Sequence, residues 1–146
     1  MIRRWPMLSQ LLQHQTVKQF VKFATVGLGN TVLDWLVFSL FSFYLAQFGQ
    51  FGRQLAKAGS FVVASVSSFY FNRRWTFRSA DRSVYRQGGK FLAVSVVGLA
   101  TNNLLFFLMT ADIALAKPDI YGLIVATAGA SIWNFSAHKF WTFAPK

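Results

Sequence analysis

Cysteine is absent from this chain of 146 residues, and acidic side chains nearly so: there are four Asp and no Glu. Without thiols there is no disulfide framework, no thiolate nucleophile, no thiolate zinc site and no iron–sulfur cluster. Two His, His14 and His138, and four scattered Asp leave no cluster that would hold a metal. No glycine-rich phosphate loop, nucleophile elbow or paired-carboxylate motif occurs, so ATP hydrolysis and covalent catalysis have no support. The chain therefore reads as a non-enzyme without a cofactor. Charge of either sign is also scarce: charged residues make up 13% of the chain, against about 25% in an ordinary soluble domain. Too few polar side chains remain to coat a globular surface in water.

What is present is apolar and basic. Hydrophobic residues are 54% and aromatics 18%, and the mean hydropathy of +0.39 excludes disorder. Fifteen Lys and Arg give a net charge of +11. Such a balance belongs either to a nucleic-acid footprint or to the cytoplasmic loops of a membrane protein. Position separates the two. Charge-free runs extend over 23–52 (broken only by Asp34), 58–72, 91–111 and 120–137, and the cations crowd into the gaps between them. No basic stripe follows a groove-facing element, so no nucleic-acid partner is expected.

A bilayer span takes about 20 apolar residues. The runs predict an all-α integral membrane fold with four transmembrane helices over about 23–46, 54–72, 91–111 and 120–138. The second reaches this length only with Arg53 and Lys57 snorkelling outward. Residues 1–20, with Trp5, Leu8, Leu11, Leu12 and Phe20 among polar neighbours, read as a cytoplasmic or interfacial segment on the membrane surface. One side of the membrane receives Arg3, Arg4, Lys18, Lys22, Arg73, Arg74, Arg78, Arg82, Arg86, Lys90, Lys139 and Lys146. The other receives Arg53, Lys57 and Lys117. Twelve against three predicts a multi-pass protein of the cytoplasmic (inner) membrane with both termini in the cytoplasm. Trp75 and Trp141 are then anchors at the cytoplasmic headgroups.

The chain resembles itself at half its length. An offset of 68 lays Lys22-Phe23 on Lys90-Phe91, Leu36 on Leu104 and Phe38 on Phe106, with Gly27, Asn30 and Asp34 on Ser95, Gly98 and Asn102. An offset of 66 lays Trp75-Thr76-Phe77 on Trp141-Thr142-Phe143, and Ser65, Ser68 and Asn72 on Ser131, Asn134 and His138. Two copies of a helical hairpin follow, each with an even number of spans, so the repeats are parallel rather than inverted. Ser60, Ala64 and Ser68, and Gly122, Ala126 and Ala130, recur every four residues as small packing faces.

Two places stand out chemically. Asp34 lies near mid-membrane, where inserting a carboxylate costs on the order of 2.5–3.5 kcal/mol, so it either fixes helix register through hydrogen bonds or faces a polar path. Asn30 shares its helix face, and Asn102 and Asn103 are expected opposite. The second place comprises the cytoplasmic ends of the second and fourth helices, Asn72-Arg73-Arg74-Trp75 and His138-Lys139-Phe140-Trp141. Cations and amides at headgroup depth suit an anionic phosphate, although Lys and Arg there also set topology. His138 reads as an interfacial polar residue.

These pieces together resemble the GtrA-like family of small four-helix membrane proteins from about Val21 to Phe143. The matching pieces are Lys22-Phe23, Val26-Gly27 and Asp34, then Phe69 through Phe77, then Lys90-Phe91 with Gly98, and finally Asn134-Phe135 with Trp141-Thr142-Phe143. The resemblance implies translocation of a polyprenyl-phosphate-linked sugar to the outer leaflet for cell-surface polysaccharide synthesis, beside a membrane glycosyltransferase. On that expectation Asn72, Arg73, Arg74 and Lys139 receive the phosphodiester while Asn30, Asp34, Asn102 and Asn134 line the path of the sugar. The polyprenyl tail would stay in membrane lipid. Four helices hardly enclose such a path, so a homo-oligomer is expected. Two rivals are a non-transporting scaffold that recruits a glycosyltransferase and a small proton-coupled multidrug exporter. Cations at the cytoplasmic interface would repel the cationic compounds that such an exporter carries.

Overall fold

Long apolar runs leave their backbone polar groups no water to bond, and a helix satisfies each of them within its own segment. The computed structural model describes residues 5–110 and 118–144, helical throughout except for 77–83 and 143–144. Arg3, Arg4, Lys117 and Lys146 of the charge count lie outside these residues. Among the described residues, three stretches are long and apolar enough to cross a membrane: His14–Thr76, Val84–Thr110 and Ile120–Thr142. The first of them contains two helices joined by a turn.

The chain divides into two units at Arg78. In the first, α1 (Trp5–Leu45) leads through a 3-10 turn (Ala46–Phe48) into α2 (Gly49–Phe71), which continues as one π-helical turn (Asn72–Thr76). α1 and α2 run antiparallel, since Leu45 meets Gly52 beside the turn, Phe41 meets Gly59 farther along, and Phe23 meets Phe77 at the open end. Gly49 makes the reversal with φ 58° and ψ −132°, a region that side chains with a Cβ avoid. Gly52 follows it because a Cβ there would run into the Leu45 carbonyl.

Two boundaries differ from the sequence expectation. α2 begins at Gly49 rather than near Gln54, and helical geometry persists to Thr76. Arg53 and Lys57 are therefore inside the helix rather than at its start. α1 has no break near residue 20, so the expected surface segment and the first span form one helix. Its 41 residues extend about 60 Å, twice the ~30 Å hydrocarbon core, and its polar end, with His14, Lys18 and Lys22, extends past the apolar stretch.

In the second unit, α3 (Val84–Thr110) and α4 (Pro118–Ala137) form another antiparallel hairpin, and α4 also ends in a π-helical turn (His138–Thr142). Before α3, Asp81 accepts the Ser83 N–H at 2.9 Å and pairs with Arg86 at 3.0 Å. α4 starts on Pro118, where a missing N–H costs nothing. Each hairpin packs on small residues: Ala56 and Ser60 in the first, Gly122, Ala126 and Ala130 in the second, all buried. Where lipid offers no hydrophobic drive between helices, such close approach supplies the van der Waals contact that holds them. Hydroxyls within the spans bond back to their own helix, as Thr31 does to Gly27, Ser39 to Trp35 and Ser95 to Phe91, at 2.8–3.1 Å.

Candidate functional site

The open end of each hairpin is built around its π turn. An amide bonding five residues back, Phe77 N to Asn72 O and Phe143 N to His138 O, both 2.8 Å, brings the last aromatic over the facing helix. Phe77 thus lies 6.3 Å from Phe23, and Phe143 lies 6.3 Å from Phe91. Outside this aromatic layer sit paired cations and indoles: Lys22 Nζ is 5.2 Å from the Trp75 ring centre, and Lys90 Nζ is 5.0 Å from that of Trp141. Lys90 also donates to the Trp141 carbonyl at 3.1 Å. Each indole holds its cation by the attraction of charge for the π face.

Beneath the layer the two ends differ. In the second hairpin His138 is 1% exposed, stacked on Phe91 at 4.4 Å, with Nδ1 3.2 Å from the Thr142 hydroxyl. It is thus a buried structural group rather than an interfacial one. In the first hairpin Asn72 occupies the matching place, 1% exposed, and donates through Nδ2 to Ser68 Oγ at 3.3 Å. Its Oδ1 and the Thr76 hydroxyl are buried without a hydrogen-bond partner.

Two grooves run along the first hairpin. The one toward the open end, about 650 Å³, is walled by Val26, Leu33, Tyr70, Phe71 and Trp75, with Thr25, Asn30, Ser67 and Arg74 among its polar residues. Of the run Asn72-Arg73-Arg74 only Arg74 lines it; Asn72 is turned into the hairpin. Arg74 is exposed and its neighbour Trp75 supports Lys22, so two cations flank an aromatic wall. The groove toward the turn, about 540 Å³, contains Asp34 with Gln50, Arg53, Gln54, Lys57 and two phenylalanines. Asn30 and Asp34, one helical turn apart, thus open into different grooves. Arg53 and Lys57 were absent from the sequence-derived site. Their signal was the spacing 50, 53, 54, 57, 61, one continuous helix face.

In the second hairpin Asn134 is half-buried and pressed against Gly98, which has no side chain to keep it away; its Oδ1 is buried and without a hydrogen-bond partner. Lys139 lies over the Phe135 and Phe140 rings at 5.8 and 5.5 Å, and Asn102 is half-buried on α3.

The family described as GtrA/DPMS, transmembrane domain, matches this chain over residues 22–143. The chain belongs to it. The matched region takes in both grooves and both π turns. Among relatives of this GtrA/DPMS protein, the bactoprenol-linked glucose translocase of Shigella phage SfII is 32% identical over 130 residues, 87% of this chain and 96% of the relative. The protein of the same description from Shigella phage SfV is 31% identical over the same shares. The membrane protein YngA of Bacillus subtilis, whose function is uncharacterised, is 26% identical over 88% of this chain and 82% of its own length. The GtrA/DPMS chain is thus an all-helical membrane protein with a transmembrane domain, related to translocases over nearly their full length.

Proposed function

We propose that this chain moves a polyprenyl-phosphate-linked sugar across the cytoplasmic membrane for cell-surface polysaccharide synthesis or modification. The relationship to two phage proteins named bactoprenol-linked glucose translocase, spanning 96% of each, carries the reading. The groove geometry gives it a mechanism. A sugar phosphate stripped of water in hydrocarbon is strongly disfavoured, so the protein must offer substitutes along the route. Arg74 and Lys22 at the open end are placed to receive the phosphodiester through charge-assisted bonds. Tyr70 and Trp75 give the sugar an apolar wall, and Asn30 gives its hydroxyls a partner. The polyprenyl tail remains in lipid while the head group moves.

Four spans, two per hairpin, form two parallel repeats with the open ends and both termini in the cytoplasm. The charge asymmetry supports that orientation. Bond making belongs to a partner glycosyltransferase, and the chain itself transports. Asn102, Asn134 and Lys139 are the contribution of the second hairpin, Arg73 adds charge beside Arg74, and a homo-oligomer supplies the walls that one copy lacks.

In proteoliposomes loaded with a labelled polyprenyl-phosphate glucose, Arg74→Ala is expected to slow transfer between leaflets at least about tenfold, the loss of about one charge-assisted hydrogen bond. Wild-type transfer by that variant at equal insertion refutes the assignment.

A further inference from the structure

Offsets of 68 and 66 set Val26 on Val94, Gly29 on Val97 and Ser67 on Trp133. In the second hairpin the Trp133 indole reaches across to α3 and donates from Nε1 to the Val94 carbonyl at 3.4 Å. In the first hairpin the equivalent place belongs to the open-end groove, lined there by Val26, Gly29 and Ser67. We propose that Gly29 and Ser67 are the seat of the sugar ring, and that they make the groove favour the glycosylated lipid over bare polyprenyl phosphate. This assignment rests on the translocase reading and deepens it.

Three observations carry it. First, the room at Gly29 has no packing cause. A Cβ added there would meet nothing within 4 Å, so the close helix approach that explains Gly52, Gly59 and Gly98 is not the reason for this glycine. Glycine in mid-helix is disfavoured, and what it gains here is space in the groove. Second, the Thr25 hydroxyl in the same groove bonds to the Val21 carbonyl at 2.9 Å, whereas the Ser67 hydroxyl has no hydrogen-bond partner among the described residues. Third, ring and cation replace one another between the repeats. Trp133 brings an indole where Ser67 leaves room, and Arg74 has Phe140 as its counterpart. The hairpin that carries its own ring in this place lacks the guanidinium that would hold a phosphate beside it.

An indole and a pyranose ring are bodies of similar breadth, and each presents donors at its edge: an N–H in one, hydroxyls in the other. A sugar hydroxyl donating to the Val26 carbonyl would repeat the bond that Trp133 makes to Val94, and the free Ser67 hydroxyl would exchange a second. Arg74 stands seven residues beyond Ser67, about 10 Å of helix. The sugar is bonded directly to its phosphate, so one head group spans from the cation to the seat. Bare polyprenyl phosphate reaches the cation and leaves the seat empty.

The test measures binding of polyprenyl-phosphate glucose and of polyprenyl phosphate to the purified full chain, and transfer of the former in proteoliposomes. Ser67→Trp and Gly29→Val each copy the second hairpin, and Gly29→Val carries the test if Ser67→Trp fails to elute as a folded protein. Both are expected to weaken binding of the glucosylated lipid about tenfold, the loss of one hydrogen bond with its ring contact, and to leave binding of the bare lipid unchanged. Gly27→Val, on the same helix, exposed, outside the groove and with open space at its Cβ, should change neither. Unchanged binding of the glucosylated lipid by the folded variants overturns the seat and leaves the translocase reading standing. An equal loss for both lipids also overturns it, because the added side chain then only closes the groove to phosphate. So does an equal loss in Gly27→Val, which would reflect disturbance of α1 as a whole. Absence of transfer by wild type refutes the translocase reading itself.

Discussion

Thr142→Val and Thr76→Val remove the same hydroxyl from the same place in the two π turns, and the structure gives them opposite consequences. Thr142 is 3% exposed and its hydroxyl lies 3.2 Å from Nδ1 of His138, which is itself 1% exposed. Whichever group donates, the pair exchanges one hydrogen bond, and valine leaves that ring nitrogen without it. A buried polar atom stripped of its partner costs about 1–3 kcal/mol, while side-chain hydrogen bonds within membrane helices average nearer 0.6. The stack of His138 on Phe91 and its near-complete burial raise the cost above the membrane average, to about 1.5 kcal/mol. Thr76 is as deeply buried, but its hydroxyl has no partner. Valine there removes a desolvated polar group and adds a methyl, so Thr76→Val should be neutral or stabilising by up to about 1 kcal/mol. The expected gap between the two variants is about 2 kcal/mol, read from unfolding midpoints in mixed micelles followed by tryptophan fluorescence. Equal destabilisation by both, or a greater loss for Thr76→Val, refutes the reasoning.

Gly49→Ala should destabilise the first hairpin by about 1–3 kcal/mol, because φ 58° with ψ −132° at the turn excludes a Cβ; the same micelle titration measures it. Gly98→Ala should lower stability by about 1–3 kcal/mol through overpacking on the Asn134 amide. A double-mutant cycle with Asn134→Ala should recover most of that loss, and simple additivity would show that the two side chains do not meet.

Asp34 illustrates how far the chain could be read before folding. Its position in a charge-free run marked it at once as the carboxylate that the membrane tolerates at a cost, and its helix and face followed from spacing. Its surroundings did not follow. Within the first hairpin, the residues lining its groove include Gln50, Arg53, Gln54 and Lys57, which the charge-free run alone does not single out. The reason lies in the turn: starting α2 at Gly49 rather than near Gln54 adds more than one helical turn, so Gln50 and Arg53 become helical and continue the face of Gln54 and Lys57 that lines the groove with Asp34. No local signal fixes such a start, because 3-10 and α geometry differ by one hydrogen-bond register. The run after Asn72 shows the same limit. Three adjacent residues looked equivalent as phosphate ligands, yet a π turn buries Asn72, leaves Arg74 in the groove and sets Trp75 beneath Lys22.

The helical membrane character, the apolar lengths, the half-length similarity and the separation of cations are all legible from residue order, because each depends on residue identity, hydropathy and charge along a line. The motifs of the chain also pointed to the family. Helix packing sets which polar atoms share a groove, buries His138 against Phe91 while Asn72 keeps an unpaired oxygen, and opens Asn30 and Asp34 into different grooves. Those outcomes depend on the rotation of one helix against another, and a turn shorter by a few residues, or one extra residue in a π turn, resets that rotation without altering the composition of the chain.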